Sequence, residues 1–556
     1  YPESVATTWA MNFQQVAQAS PAAADLLSFS AFLAPDDIPL ELLRLGSEYL
    51  GTSLSNALQT AAEDPMVLHD LLDPLTRYSL IRCNLQTSCY SIHRMVQEVL
   101  RNGMEEASQK KWVNRAVEAL NSSFPPFEYS HWPYSTRLLS HVQVVQQHFK
   151  HYPSDLGAFG QLLNSAGGYL YGRGQYREAE TLLQQSLEMR KHGLGENHPH
   201  VAESLNNLAE LNAAQGRYEA AESFYKQALE LITHISGKTD SFAAIIRDNL
   251  ATYYLRQGHY REAESLYLEA LALMRQLLGK EHLDVATNLN NLALLYTEQG
   301  RYAEAEPLYL EALEITKRCV GEEHPKVATG LGNLAELHRS LGRYSEAESF
   351  SLQSLELTKK LWSNEHPSIV TGLNNLALFY REQGRYGEAE ALYAQALGMA
   401  KQLLGNTHPD VAHILHGLGG VYSSQGRYAE AEAHYVQALQ MTKQLLGNTH
   451  PDVAASLNSL ASLYLHQGRY AEAESFYRQA LEMRKNLFGN EHPTVATSLG
   501  NLADLYRLQG RYAEAEPLYR QALALKERLL GNEHPDVATC LNNLALLYKY
   551  QGRYAE

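Results

Sequence analysis

Residues 325–366 read PKVATGLGNLAELHRSLGRYSEAESFSLQSLELTKKLWSNEH, and this stretch decides the fold. Apolar residues recur in it at spacings of three and four on both sides of a central Leu-Gly-Arg-Tyr. Such spacing places apolar side chains on one face of a helix, and glycine readily ends a helix in a left-handed conformation. The stretch therefore predicts two helices joined by a short turn.

This hairpin pattern repeats along most of the chain with a constant period. The turn glycine recurs every 42 residues, at positions 174, 216, 258, 300, 342, 384, 426, 468, 510 and 552. Ten registers without an insertion or deletion indicate a tandem repeat. Because one hairpin cannot bury its apolar stripe alone, neighbouring hairpins must complete the core by stacking. We therefore predict an all-α solenoid.

The net charge, the cysteine spacing and the apolar runs exclude several kinds of partner and site. The formal net charge is −16 and no long basic block offsets it, so we expect neither nucleic acid nor a membrane surface as a partner. The four cysteines have no CxxC spacing, and no apolar run reaches the length of a membrane helix. We expect a cytoplasmic protein without a metal site or a disulfide framework.

The order of side chains along each unit resembles the tetratricopeptide signature of large, small, aromatic, turn, small, aromatic and small. In one unit it runs Leu292, Ala293, Tyr296, Gly300, Ala305, Tyr309, Ala312. The 42-residue length and segments such as LLGNEHPDVATCLNNLALLY at 529–548 resemble the kinesin light chain subtype. The resemblance covers about residues 161–556. It implies a right-handed superhelical solenoid of about ten hairpins, the last one truncated.

In this family, a concave groove is lined by the first helix of each hairpin. Nine positions before the turn glycine lie Asn207, Asn249, Asn291, Asn333, Asn375, Asn501 and Asn543, and ten positions before it lie Asn164, Asn206, Asn290, Asn374, Asn458 and Asn542. Nearer the turn, the predicted groove includes Arg339, Arg381 and Arg507.

An amide side chain offers two donors and two acceptor sites, so a ladder of asparagines can pair with the backbone of an extended peptide. Alternatively, these asparagines bond to neighbouring helices and fix the repeat geometry. The two roles can coexist. The unit with Gly417, Gly419 and Gly420 breaks the pattern, and we expect it to be a flexible point because glycine weakens a helix.

Residues 1–104 do not share the repeat and predict three helices, two short strands and a further helix. The stretches AADLLSFSAFLAPDDIPLELL at 23–43, DPLTRYSLIR at 73–82 and YSIHRMVQEVLR at 90–101 resemble the winged-helix part of STAND (NB-ARC-like) signalling NTPases. The resemblance implies a winged-helix-like domain over 1–104, a helical connector over 105–160 and the repeat solenoid over 161–556.

His93 aligns with the histidine of a Met-His-Asp motif that touches nucleotide in the STAND family, but Arg94 replaces the aspartate. The resemblance makes His93 a candidate for nucleotide sensing, and a helix-start role is the alternative. The chain has no GxxxxGK[ST] phosphate loop. We expect no cofactor in this chain, and ATP or ADP only in an NTPase domain upstream of Tyr1, as part of a longer protein.

We therefore predict a protein- or peptide-binding module that acts as the ligand-sensing and regulatory part of a STAND-type signalling NTPase. The alternative is a stand-alone scaffold or adaptor that binds extended peptides, like kinesin light chain. No nucleophile motif supports an enzyme in this chain. Self-association is a further expectation, because the last hairpin is incomplete and leaves an apolar face at Leu541–Tyr548 without a partner.

Overall fold

A computed structural model describes residues 3–63, 65–84, 86–125, 131–237, 240–362 and 366–554 of the protein. The chain forms two compact units, Tyr1–Leu208 and Ala209–Glu556. Within the described residues, helices follow one another in tandem and the strands are confined to one small sheet. The predicted all-α solenoid is confirmed.

The first unit begins with a helical segment around a three-stranded antiparallel sheet of order β1-β3-β2. The apolar runs at 80–82 and 88–92 predict two strands, and each strand starts one residue later than its run. Ser79 and Ser88, close to these starts, adopt left-handed φ angles of 53° and 51°. The elements are α1 Glu3–Ala19, α2 Pro21–Ser30, β1 Ile38–Pro39, α3 Leu40–Leu45, a 3₁₀ helix Ser47–Tyr49, α4 Thr52–Glu63, α5 Pro65–Arg77, β2 Ile81–Asn84, β3 Cys89–Ile92 and α6 Arg94–Asn102.

The rest of the first unit consists of long helices that share its core. One apolar cluster extends from Val16 to Ala166 and includes residues of the sheet, the connector and the first repeat hairpin. The division at residues 104 and 160 stays a prediction. These helices are α7 Glu106–Ser123, α8 Trp132–His151, α9 Leu156–Gly172 and α10 Tyr176–Leu194.

The hairpins then continue with little variation in length, since first helices have 16 residues and second helices 19. They are α11 Pro199–Ala214, α12 Tyr218–Ser236, α13 Ser241–Arg256, α14 Tyr260–Leu278, α15 Leu283–Glu298, α16 Tyr302–Val320, α17 Pro325–Ser340, α18 Tyr344–Trp362, α19 Pro367–Glu382, α20 Tyr386–Leu404, α21 Pro409–Ser424, α22 Tyr428–Leu446, α23 Pro451–His466, α24 Tyr470–Phe488, α25 Pro493–Leu508, α26 Tyr512–Leu530 and α27 Pro535–Tyr550.

In the Gly-Arg-Tyr turn, the glycine and the arginine each have a structural role. Gly384 has a φ of +74°, which glycine adopts without steric strain. The Arg385 guanidinium lies 3.7 Å from the ring centroid of Tyr380 and donates to Glu348 Oε1 of the preceding second helix at 2.8 Å. The arginine therefore ties the turn to the neighbouring hairpin, which favours a fixed angle between hairpins.

Within Ala209–Glu556, hairpins that are six apart contact each other through histidines that cap first helices. His492 Nδ1 accepts from the backbone N–H of Thr494 at 3.1 Å, and its Nε2 lies 3.2 Å from the carbonyl of Arg256. His450 makes the same contact with the carbonyl of Ala214 at 3.1 Å. These histidines thus cap their own helices and join successive turns of the superhelix.

Candidate peptide-binding face

The candidate site is the face formed by the first helices of successive hairpins. These helices contact one another directly, as in the pairs α13 with α15, α15 with α17 and α19 with α21. In a curved stack, the helices that approach each other most closely line the inner side. Within Ala209–Glu556, the predicted groove positions therefore follow one another from α13 to α17 and again from α19 to α27.

The asparagines of this face form bonds between neighbouring first helices. In each such bond, which we call a rung, the donor lies nine positions before the turn glycine of its hairpin. The acceptor lies ten positions before the turn glycine of the preceding hairpin. These rungs are Asn207 to Asn164 at 3.0 Å, Asn291 to Asp248 at 2.8 Å, Asn333 to Asn290 at 2.8 Å and Asn501 to Asn458 at 2.8 Å. Asn249 instead donates to Glu210 at 3.0 Å.

The rungs agree with the structural alternative for the ladder, and they leave part of each amide free for another role. An asparagine that donates one N–H retains a second N–H and acceptor capacity. Asn333 and Asn501 are half-buried, so these remaining groups are accessible. Asn206 is buried and bonded, whereas Asn542 is exposed and Asn543 half-buried on α27.

The rung between α17 and α19 is missing because Gly332 lies where the acceptor side chain of a rung would be. Its expected donor is Asn375 on α19, which is exposed. Within the described ranges, the side chain of Asn375 makes no bond to a neighbouring first helix and accepts only from Asn374, at 3.4 Å. Both N–H groups of Asn375 are therefore available to a ligand, whereas Asn291 on α15 and Asn333 on α17 each use one in a rung.

Asp248 replaces asparagine in the ladder and is nearly buried, at 7% exposure. Burial raises the pKa of this carboxyl to about 6, although it accepts hydrogen bonds from Asn288 at 2.6 Å and from Asn291. The hydrogen bonds from the two amides lower this pKa and thus offset part of the effect of burial.

A cavity of about 530 Å³ lies between α17, α18 and α19, at the missing rung. Its lining includes Glu336, Asn375 and Ser351. Trp362 also lines it, and its buried Nε1 has no hydrogen-bond partner among the described residues. The cavity therefore combines an aromatic wall with charged and amide groups.

The arginines of the predicted groove have different surroundings. Arg339 donates to Glu336 through Nε at 2.9 Å and to Glu382 at 2.6 Å, and it lines the cavity. Arg507 donates to Asp504 at 3.2 Å. Arg381 lies on α19 beside Gly420 of the next first helix. Positive charge on this face is thus mostly balanced by neighbouring acids.

The three glycines of α21 do not interrupt that helix, which is continuous from Pro409 to Ser424. A Cβ atom at Gly417 would lie 2.5 Å from the ring of Tyr393, and one at Gly419 would lie 2.7 Å from the ring of Tyr435. Close packing therefore explains these glycines better than a flexible point does, because glycine permits the close approach of tyrosine rings from second helices.

His93 lies at the N-terminus of α6, where its Nδ1 accepts from the backbone N–H of Met95 at 3.1 Å. Its exposed ring lies 5.6 Å from that of Trp9. The geometry is that of a helix cap, and the nucleotide-sensing role stays a prediction. Across the described ranges, no cluster of three or more His, Cys, Asp or Glu could hold a metal, and no helix is long and apolar enough to cross a membrane.

Comparison with known proteins identifies the class. The profile described as Tetratricopeptide repeat matches residues 159–233, 241–318, 284–360, 368–444, 416–486, 452–528 and 494–556. The chain belongs to the tetratricopeptide repeat family, as predicted, and is accordingly a repeat module of the protein-binding kind. Residues 14–109 match a second profile, Domain of unknown function (DUF7779).

One relative matches part of the chain. A nucleotide-binding leucine-rich repeat (NLR)-like protein of Hyaloscypha variabilis is 33% identical over 204 residues, which is 36% of this chain and 19% of that protein. The chain thus matches about a fifth of that relative's length.

Among solved structures, nearly identical TPR-like repeats assigned to a kinesin light chain of Podosopora anserina are 28% identical, covering 37% of this chain and 98% of that one, with a TM-score of 0.31. A STAND protein with a tetratricopeptide repeat sensor from Pyrococcus horikoshii is 15% identical, covering 96% of this chain and 67% of that one, with a TM-score of 0.37.

Proposed function

We propose that the first-helix face of this chain binds an extended peptide and that the chain is the ligand-sensing and regulatory part of a STAND-type signalling NTPase. The observation that carries peptide binding is the asparagine ladder. Each rung fixes an amide in place and leaves hydrogen-bonding groups that can pair with a peptide main chain.

Fixed amides favour binding because their side-chain entropy is already lost before the ligand arrives. The rungs hold Asn291 and Asn333 on adjacent first helices, so their spare groups recur at the spacing of the hairpins. Asn375 adds an amide with both of its N–H groups available to a ligand. An extended chain that runs along the face can meet these groups in turn.

The sensing role is supported by the match to the NLR-like protein and by the small domain that precedes the repeats. In this proposal, a ligand that prefers one arrangement of the solenoid shifts an upstream NTPase domain between two states. His93 on α6 is a candidate contact for the nucleotide. The second candidate function is a scaffold that binds peptides without any switch. The length of the repeat, which is like that of kinesin light chain, supports this alternative.

Peptide binding is tested with a peptide selected from a random display library against the full chain. Calorimetry then compares the parent with a variant that carries Asn291→Ala, Asn333→Ala and Asn375→Ala. The matched control carries the same change at three exposed amides of second helices, Gln353, Gln395 and Gln479. We expect a loss of roughly 100-fold in affinity for the first variant, from about 1 kcal/mol for each bond, and little change for the control. Equal affinities of both variants would refute binding by the ladder.

The sensing role needs the protein that contains the upstream region. We expect the selected peptide to change nucleotide hydrolysis and the sedimentation of that longer protein, and His93→Ala to alter its affinity for ADP. Peptide binding without any change in hydrolysis or assembly would favour the scaffold.

A further inference from the structure

The hairpin of α17 and α18 lacks an aromatic residue that nearly all of the other hairpins carry. The equivalent position on the second helix is occupied by buried tyrosines at Tyr225, Tyr267, Tyr309, Tyr393, Tyr435, Tyr477 and Tyr519. In α18 this position is Ser351, which is half-buried. The two side-chain heavy atoms of serine thus stand where the equivalent hairpins have the eight of a tyrosine.

The place of the missing ring is visible from the neighbouring hairpin. There the ring of Tyr393 extends so far toward the following first helix that a Cβ atom at Gly417 would lie 2.5 Å from it. The 530 Å³ cavity borders Ser351 and the corresponding surface of α19, including Asn375. Gly332 widens it, because a Cβ atom there would meet only Ser354 Oγ, at 3.6 Å.

The polar groups that would hold a tyrosine hydroxyl are still present. In the hairpin of α25 and α26, the Tyr519 hydroxyl donates to Asp504 at 2.6 Å and lies 3.3 Å from Arg507 Nε. Four repeats earlier, the same two positions are Glu336 and Arg339, and both line the cavity. An acid and an arginine therefore border a space of sufficient size for a phenol ring.

We propose that this cavity receives a tyrosine side chain of the bound peptide, which takes the place of the missing ring. The hydroxyl donates to the Glu336 carboxylate, and the ring packs beside Phe379 and Leu378. A phenylalanine would leave the charged pair of Glu336 and Arg339 covered without a new hydrogen bond, so tyrosine is preferred. This inference rests on the proposed peptide binding and assigns its sequence preference.

The test uses p-fluorophenol and fluorobenzene as probes, with fluorine NMR line broadening on the full chain. We expect saturable binding of p-fluorophenol to the parent, at least fivefold weaker binding of fluorobenzene, and loss of saturable binding in Ser351→Tyr, whose own ring fills the cavity. The matched control is Tyr519→Ser, which opens the equivalent space beside Asp504 and Arg507 and should add a second site. Helicity and the unfolding temperature verify that each variant is folded.

Saturable p-fluorophenol binding that is unchanged in Ser351→Tyr would overturn the proposal, and so would the absence of such binding in the parent. The probe needs no peptide, so this failure is distinct from a failure of peptide binding. If a selected peptide binds the face but neither its tyrosines nor Ser351→Tyr affect its affinity, the pocket is rejected and the peptide-binding function stands.

Discussion

Replacing Asp248 by asparagine is expected to stabilise the protein at neutral pH. Asp248 is the one acid among the bonded rungs at the position ten residues before the turn glycine, and burial raises its pKa from 3.8 to about 6. The folded protein therefore binds a proton more tightly than the unfolded chain, and ionisation of this carboxyl at neutral pH opposes folding. An amide at position 248 removes this cost and keeps an acceptor for a neighbouring asparagine.

The magnitude follows from the pKa difference. A pKa difference of about 2 lowers the free energy of unfolding by roughly 3 kcal/mol at pH values above 6. This loss vanishes below about pH 4, where the carboxyl is protonated in both the folded and the unfolded state. The new amide can also donate to Asn288 Oδ1, which is buried and has no partner among the described residues. We therefore expect Asp248→Asn to gain about 2 to 3 kcal/mol at neutral pH.

The assay is urea unfolding of the full chain followed by helicity, at about pH 7.5 and about pH 4.5, with parent and variant compared at each pH. Asp410→Asn is the matched control, because Asp410 has a side-chain exposure of 42% on the first turn of α21. Its effect should stay within about 0.5 kcal/mol. A gain for Asp248→Asn that is equal at both pH values, or no gain, would refute the reasoning.

Two further perturbations test the packing of the solenoid. Burial lowers the pKa of His492 to about 4, so the unfolded chain binds this proton more readily than the folded protein does. The free energy of unfolding should therefore fall by about 1.4 kcal/mol per pH unit as the pH drops from 6.5 to 4. His492→Asn keeps a capping side chain and should reduce this slope in urea unfolding, whereas an unchanged slope would contradict the assignment. Gly417→Ala should destabilise the protein by about 1 to 3 kcal/mol because its Cβ atom meets the ring of Tyr393, while Gly398→Ala on α20, with open space around it, should stabilise by up to about 1 kcal/mol. Thermal unfolding measures both, and two shifts of the same sign would argue against the close approach.

The hairpins could be predicted from the sequence because a period of 42 residues fixes helix, turn and helix in each unit. Turn glycines such as Gly384 need a left-handed conformation, and that need is visible in any one repeat. Strand β1, at Ile38–Pro39, was not predicted, because two residues that include a proline carry no alternating pattern. It forms only through pairing with β3, which is a tertiary effect.

The candidate site could be predicted in position but not in its bonding. Sequence places asparagines on one helix face, yet it does not reveal that Asn333 reaches Asn290 on the preceding hairpin. The contact of His492 with Arg256 also depends on the pitch of the superhelix, which no repeat length encodes. The cavity did have a signal in the sequence: Ser351 interrupts a run of tyrosines spaced by 42 residues. An exception to a repeat is therefore as informative as the repeat itself.

Hydrogen-deuterium exchange of the full chain with a library-selected peptide tests the central claim most directly, because it locates the bound ligand. Peptide binding by the ladder predicts slower exchange on first helices, above all on α15, α17 and α19, with second helices little changed apart from the part of α18 that borders the cavity. Protection confined to α16, α18 and α20 would place the peptide on the opposite face and would contradict the account.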